Sequence, residues 1–290
     1  MKTNVLYSLV ILSIFFQSCV VLLPHSGELV SAQPIEIPTY RDSTEYILNG
    51  SLSFSKGNGR GHYYGESGSL QYVDNVFDHQ SLFGNLSYSK VAKYHHIGVG
   101  TSFYVGQLNL NSLQDFVGSV ENKYALRKVI DNGLPDYSNN IGNIPSATSY
   151  YGGGFNFNLG FQIPTKYVNF RIINYQLNIF WDGGEYDNIR DKIHTLLTQG
   201  IDELYIPKSN AVFIDHMFYS ELDFKISKSL AMHLKMGLGS SSYTDEYSPK
   251  ATMSTLIGGS VLYKRFNISY NNRIINSFNV SSITMGYRIR

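Results

Sequence analysis

The chain has one cysteine, Cys19, in 290 residues. With no second cysteine there is no disulfide framework, and a thiolate zinc site is excluded. There is a single tryptophan, and only 16% of residues are charged, against about 25% in ordinary soluble domains. Lys and Arg (23) nearly balance Asp and Glu (22) for a net charge of +1. Without a strong field of one sign, nothing points to a nucleic-acid partner. After the first residues no apolar run reaches the ~18 residues of a spanning helix. Motifs of the HExxH, GxSxG and GxxxxGK[ST] kinds are absent, so no cofactor and no metal are expected.

What is abundant is tyrosine (23), phenylalanine (17) and glycine (26). Residues 154–163 show how they are used. Phe155, Phe157, Leu159, Phe161 and Ile163 alternate with Gly154, Asn156, Asn158, Gly160 and Gln162. Successive strand residues point to opposite faces, so this segment has one apolar and one polar face.

Residues 1–32 have the form of a secretory leader. Lys2 supplies a positive start, and residues 5–16 form an apolar stretch too short to span a bilayer. Two cleavage sites compete. Val30-Ser31-Ala32 has the small residues of an ordinary signal-peptidase site, with cleavage after Ala32. Phe16-Gln17-Ser18-Cys19 has the form of a lipobox, with cleavage after Ser18 and lipidation of Cys19. Residues 33–44 carry two prolines and read as an irregular lead-in to a β-domain over 45–290.

The alternation marks strands at 45–55, 68–75, 81–90, 96–106, 150–163 and 167–181, then at 211–226, 230–240, 252–264, 266–274 and 280–289. Residues 57–61 (GNGRG) read as a loop tip and 77–80 as a short turn. The alternation slips between Ile172 and Ile173, as at a β-bulge. Residues 107–149 break the rhythm. Leu113, Phe116, Val117, Val120 and Tyr124 give an amphipathic helix over 112–132. A second short helix is expected in the 182–208 loop from Ile189, Ile193, Leu196 and Leu197, stopped at Gly200. A three-residue turn at 227–229 would place Asp223 opposite His233 and Glu221 opposite Lys235. A register taken from apolar faces thus pairs opposite charges.

The polar faces carry Gly, Asn, Ser and scattered charge, and tyrosines and Trp181 sit near strand ends. Short and long connections alternate. This is the pattern of a barrel with lipid outside and a polar lumen. Eleven strands can be counted. Single-chain membrane barrels have an even number, so twelve are expected, with ten as the alternative.

With its export leader, its alternating strands over 45–290 and its closing strand 282–290, the chain resembles the small outer-membrane β-barrel proteins of Gram-negative bacteria. The resemblance implies an all-β, antiparallel, up-and-down transmembrane barrel of porin-like kind in the bacterial outer membrane. It also implies contact with outer-membrane lipids and insertion by the barrel-assembly machinery. In that family the last strand usually ends on an aromatic residue. Tyr287 fits the pattern, and Arg290 stands in the final place.

On this frame Asn156, Asn158, Gln162, Arg171, Glu221, Asp223, His233, Lys235 and Arg288 line the lumen. Phe155, Phe157, Leu159, Phe161, Leu230, Leu234 and Met285 face lipid. Catalysis would need a His beside Asp, Ser or Asn at the barrel mouth. The pairs Asp78-His79, His95-His96 and Asp215-His216 are sequence neighbours, which a strand points to opposite faces. His194 falls on the second loop helix, and residues 182–185 (DGGE) read as a flexible acidic loop. No catalytic residue is assigned. The expected function is a non-enzymatic barrel, either a narrow porin-like channel or a structural surface protein. A barrel enzyme acting on envelope lipid or peptide, or a surface-binding barrel, is the alternative.

Overall fold

A computed structural model describes residues 20–21, 24–30, 37, 39–40, 43–64, 70–110, 145–197, 204–205, 211–244, 252–275 and 278–289. Its strands are β1 (Glu45–Tyr64), β2 (Leu70–Val91), β3 (His95–Asn109), β4 (Ala147–Pro164), β5 (Val168–Gly183), β6 (Phe213–Lys225), β7 (Leu230–Tyr243), β8 (Thr252–Tyr263), β9 (Phe266–Ile275) and β10 (Phe278–Arg288). Each is antiparallel to the next, and β10 pairs with β1 to close the ring. The result is an up-and-down barrel with no free edge. Among the described residues two helices accompany it, α1 (Ser26–Val30) and α2 (Glu185–Leu197).

One end carries both barrel termini and four short connections, at residues 92–94, 165–167, 226–229 and 264–265. The long connections, 110–146 and 184–212, lie at the other end. These are called the turn end and the loop end; in an outer-membrane barrel this asymmetry would put the turns toward the periplasm and the loops outside.

Alternation sorts the wall cleanly. Outward-facing Met236, Ile257 and Phe103 are 68%, 67% and 67% exposed, whereas inward-facing Asn158, Arg273 and Asp223 are each 0% exposed. Soluble folds invert this order. The turn end also carries paired aromatics and cations. Lys90, Lys93, Lys166 and Lys264 sit over the rings of Tyr46, Tyr94, Tyr167 and Tyr263 at 5.7, 5.0, 5.1 and 5.3 Å. An amphipathic ring beside an ammonium suits the headgroup level of a bilayer.

Ten strands form the barrel, the alternative count, and the twelve expected first are not found. The overcount arose at the loop end. Residues 57–61 belong to β1, which continues to Tyr64 with a register shift between Gly59 and Gly61. Residues 77–80 belong to the 22-residue β2. There Phe77, His79 and Phe83 point inward and Asp78 and Gln80 outward. Above the lipid the outer face meets water, so a polar residue outside and an aromatic inside are both stable there. The alternation inverts, and an inverted strand read from composition looks like a turn. Residues 107–109, read from sequence as the start of the long loop, belong to β3. The helix expected over 112–132 lies outside the described residues.

Two finer expectations match the coordinates. The register shifts between Arg171 and Asn174, and Ile172 and Ile173 are both outward, 50% and 56% exposed. The turn at 227–229 pairs Asp223 with His233 and Glu221 with Lys235. Pro24–Val30, within the stretch read from sequence as a leader, lies inside the barrel, with His25, Ser26, Glu28, Leu29 and Val30 at 0% exposure. An apolar stretch such as Leu29-Val30 reads the same in a leader and in a core.

An arginine on the outer face tests the orientation. Ile257→Arg, midway along β8, should cost ~2–4 kcal/mol, and Phe266→Arg at the turn-end rim ~0–1 kcal/mol. Urea unfolding of protein refolded in vesicles measures both, and equal costs would contradict the lipid-facing assignment.

Candidate functional site

The chemistry of this chain is concentrated in its lumen. β4, β5, β6 and β7 supply most of the polar side chains, at inward positions that alternate except at the bulge of β5. Asn156, Asn158, Gln162, Arg171, Glu221, Asp223, His233 and Lys235 all lie inside and buried. Arg288 is half-buried at the turn end, where Nη1 lies 3.5 Å from Glu45 Oε2. On the outer face Phe155, Leu159, Phe161, Leu234 and Met285 are exposed, whereas Phe157 and Leu230 are half-buried. Cys19 lies outside the described residues.

Near the turn end, Arg171 spans two carboxylates. Its Nη1 lies 3.2 Å from Glu221 Oε1 and its Nη2 lies 2.9 Å from Asp223 Oδ2. His233 Nδ1 lies 2.8 Å from Glu221 Oε1 and 3.3 Å from Asp223 Oδ1. Lys235 is buried beside them, cross-strand from Glu221. The other ring nitrogen of His233 meets Thr39 Oγ1 at 2.9 Å, and Asn169 Nδ2 donates to the Tyr40 carbonyl at 3.0 Å. Thr39 and Tyr40 precede β1, so the lead-in is tied to the wall from within.

Near the loop end, Arg273 grips Asp215 with both terminal nitrogens, and its Nε donates to Ser254 Oγ at 3.0 Å. Asn178 Nδ2 donates to the same carboxylate at 2.9 Å. Bidentate guanidinium–carboxylate pairs are the strongest ion pairs available to a buried site. Between the two clusters, His96 meets Asn158 Oδ1 at 2.8 Å, and Asn158 Nδ2 donates to Tyr219 OH at 2.8 Å.

The extracellular mouth is filled by Pro24–Val30. His25 Nδ1 accepts from the Gly27 amide at 2.9 Å, so Nε2 carries the proton. That Nε2 points to Asp182 Oδ1 and to the Ala211 carbonyl, each at 3.0 Å. Ser26 donates to Asp182 Oδ2 from its amide (3.1 Å) and its hydroxyl (2.8 Å). Arg190 on α2 reaches the same oxygen at 2.9 Å, and Tyr186 OH donates to the Pro24 carbonyl at 2.7 Å. Burial disfavours the Arg190 charge, but Asp182, Tyr186 and Asp187 outweigh it and hold its pKa above the usual value. Asp182 is thus an anchor for two segments, not part of a flexible loop. Gly184 lets α2 start beside it, at φ 113°.

The other histidines fall as strand geometry requires. His96 points inward and His95 outward. Asp215 points inward, and His216 bonds Tyr175 OH outside at 2.8 Å. His79 is buried inside, 3.5 Å from Tyr150 OH, with Asp78 outside. The side chain of His194 lies outside the described residues. Sequence reasoning missed His25, Ser26, Asp182, Arg190, Arg273 and Thr39. Arg273 alone carried a signal, a charge on the polar face of an alternating strand.

Glu221, Asp223 and His233 hold ligand atoms within 4.8 Å of one another, close enough for a metal ion. Arg171 already occupies the position between the two carboxylates, so a second cation would meet its charge. What the arrangement does is tie three strands, β5, β6 and β7, and the lead-in together.

The chain matches no family model and no curated protein. Its fold is similar to solved barrels. The β-domain of the Bordetella autotransporter BrkA is 9% identical, over 83% of this chain and 98% of that one, with a TM-score of 0.45. The translocator domain of the autotransporter NalP from Neisseria meningitidis is 9% identical over 84% and 88%, at 0.36. LpxR from Salmonella typhimurium is 10% identical over 82% and 99%, at 0.35. What decides the assignment is the chain's own surface. A closed ring leaves no strand edge unpaired, an apolar belt faces outward, and the lumen holds buried charges in pairs. The chain is an outer-membrane β-barrel. Its membrane is the bacterial outer membrane, with the turn end toward the periplasm.

Removing one partner of a buried ion cluster strands the other charges. Arg171→Met should therefore destabilise this barrel by about 3–5 kcal/mol, read as a lower urea midpoint. Chelation with EDTA should leave the wild-type midpoint unchanged, and a marked drop would reinstate a metal at Glu221, Asp223 and His233.

Proposed function

We propose that the protein is a non-enzymatic structural barrel of the outer membrane, closed at rest, that holds long loops at the cell surface. The observation behind this reading is the filled lumen. The Arg171 and Arg273 clusters and the His96–Asn158–Tyr219 chain cross the interior, and Pro24–Val30 stands in the mouth. At the turn end, a cavity lined by Ile37, Ser51, Ser87, His233, Ser260 and Arg265 measures about 30 Å³, room for about one water molecule. A porin-like role would require the lead-in and the Arg171 cluster to move aside. The expected partners are outer-membrane lipids around the belt and, during insertion, the barrel-assembly machinery acting on β10.

Full-length protein reconstituted in planar bilayers should show no steady conductance. Uniform, long-lived open channels would replace this reading with that of a narrow pore.

A second reading, a barrel enzyme, draws on one observation. Thr39 Oγ1, His233 and Glu221 lie in sequence as hydroxyl, imidazole and carboxylate, at 2.9 and 2.8 Å, the order of groups in a nucleophilic relay. Thr39 is only 3% exposed, which favours a structural bond. A fluorophosphonate probe should leave wild-type protein unlabelled. Labelling lost in Thr39→Val would establish the enzyme instead.

A further inference from the structure

The segment inside the barrel lies upstream of one of the two cleavage sites. Cleavage after Ala32 would strip Pro24–Val30 from the mature protein. Cleavage after Ser18 would keep it.

The lumen is built around this segment. His25, Ser26, Glu28, Leu29 and Val30 are each 0% exposed. The rings of His25 and Phe213 stack at 5.8 Å, and the edge of Tyr104 meets Phe180 at 5.9 Å beneath. The Ser26 hydroxyl lies 3.1 Å from Tyr104 OH. The fit is close from both sides. A Cβ on Gly27 would come within 2.7 Å of Phe180 Cβ, and one on Gly154 within 2.3 Å of the Phe180 ring. Glycine at both places lets Phe180 lie between wall and insert. A leader that leaves after export has no need of polar groups matched to Asp182, to the Ala211 carbonyl and to Tyr186.

The direction of the thread follows from its two ends. Val20–Val21 pairs in parallel with Leu204–Tyr205, in the connection between β5 and β6 at the extracellular end. Ile37 packs with Ile47 and Val91, and Thr39 bonds His233, all at the turn end. The described residues thus run from the loop end at Val20–Val21, through the lumen at Pro24–Val30, to the turn end at Ile37, Thr39 and Tyr40.

We propose that Pro24–Val30 is a resident plug of the mature protein, threaded so that its amino terminus emerges among the extracellular loops. The proposal rests on the barrel reading above and deepens it, and it selects the cleavage upstream of Pro24. The closing experiment uses protein extracted from outer membranes of cells expressing the full chain. Trypsin should release an amino-terminal peptide that starts upstream of Pro24 and ends at Arg41. A peptide that starts at Gln33 would overturn the proposal. An epitope inserted between Val21 and Pro24 should bind antibody on intact cells, and binding only after permeabilisation would overturn the threading. Gly27→Leu should lower the thermal midpoint of the purified barrel, because the new side chain meets Phe180. An unchanged midpoint would show that residue 27 is absent from the mature chain. A conducting barrel that keeps residues 24–30 would refute the closed state and leave the plug standing, so the two readings fail separately.

Discussion

Backbone hydrogen bonding in a solvent that offers none is the constraint on which everything else here depends. Inside a bilayer each unpaired amide or carbonyl costs several kcal/mol, so strands can cross only as a ring with no edge. The pairing of β10 with β1 completes that ring, and the whole β-domain from Glu45 to Arg288 follows from it. Once the ring closes, each strand has one face in lipid and one in the lumen. Alternation then becomes compulsory, and the polar residues have nowhere to go but inward.

That inward crowding creates the second problem, which the charge clusters solve. Arg171, Glu221, Asp223, His233 and Lys235 cannot all be buried singly. Placed on neighbouring strands at matching heights, they neutralise one another. The Arg273–Asp215 pair does the same nearer the mouth, and His25, Asp182 and Arg190 do it at the mouth itself. The Arg273–Asp215 pair joins β9 to β6, strands that share no ladder, so the interior braces the barrel's cross-section as the ladders fix its circumference. A lumen organised in this way is a packed core made of polar groups, and the plug is one more of its layers.

Much of this could be read from residues alone. Phe155 to Ile163 declares a two-faced strand, and the slip at Ile172 and Ile173 marks a bulge that the coordinates contain. Asp223 against His233 and Glu221 against Lys235 followed from the length of a single turn. The strand count did not follow, because the alternation signals lipid contact more than it signals a strand. Where β1 and β2 rise above the bilayer, Asp78 and Gln80 face water, and the pattern inverts without the strand ending. The candidate site was half legible. Its wall residues sit on alternating faces, but His25, Ser26 and Thr39 sit in segments with no periodicity.

The sequence by itself determined the solvent of each face, since a period of two with apolar and polar alternation admits little but a sheet between two environments. It also determined the local registers, because short turns leave few choices. Only the tertiary structure decided that ten strands close the ring and that Arg171 bridges two carboxylates. It alone placed Pro24–Val30 in the mouth of the barrel. Those outcomes depend on distances between residues far apart in the chain, and an apolar stretch near the start carries no mark of whether it will meet a membrane, a peptidase or the inside of its own barrel.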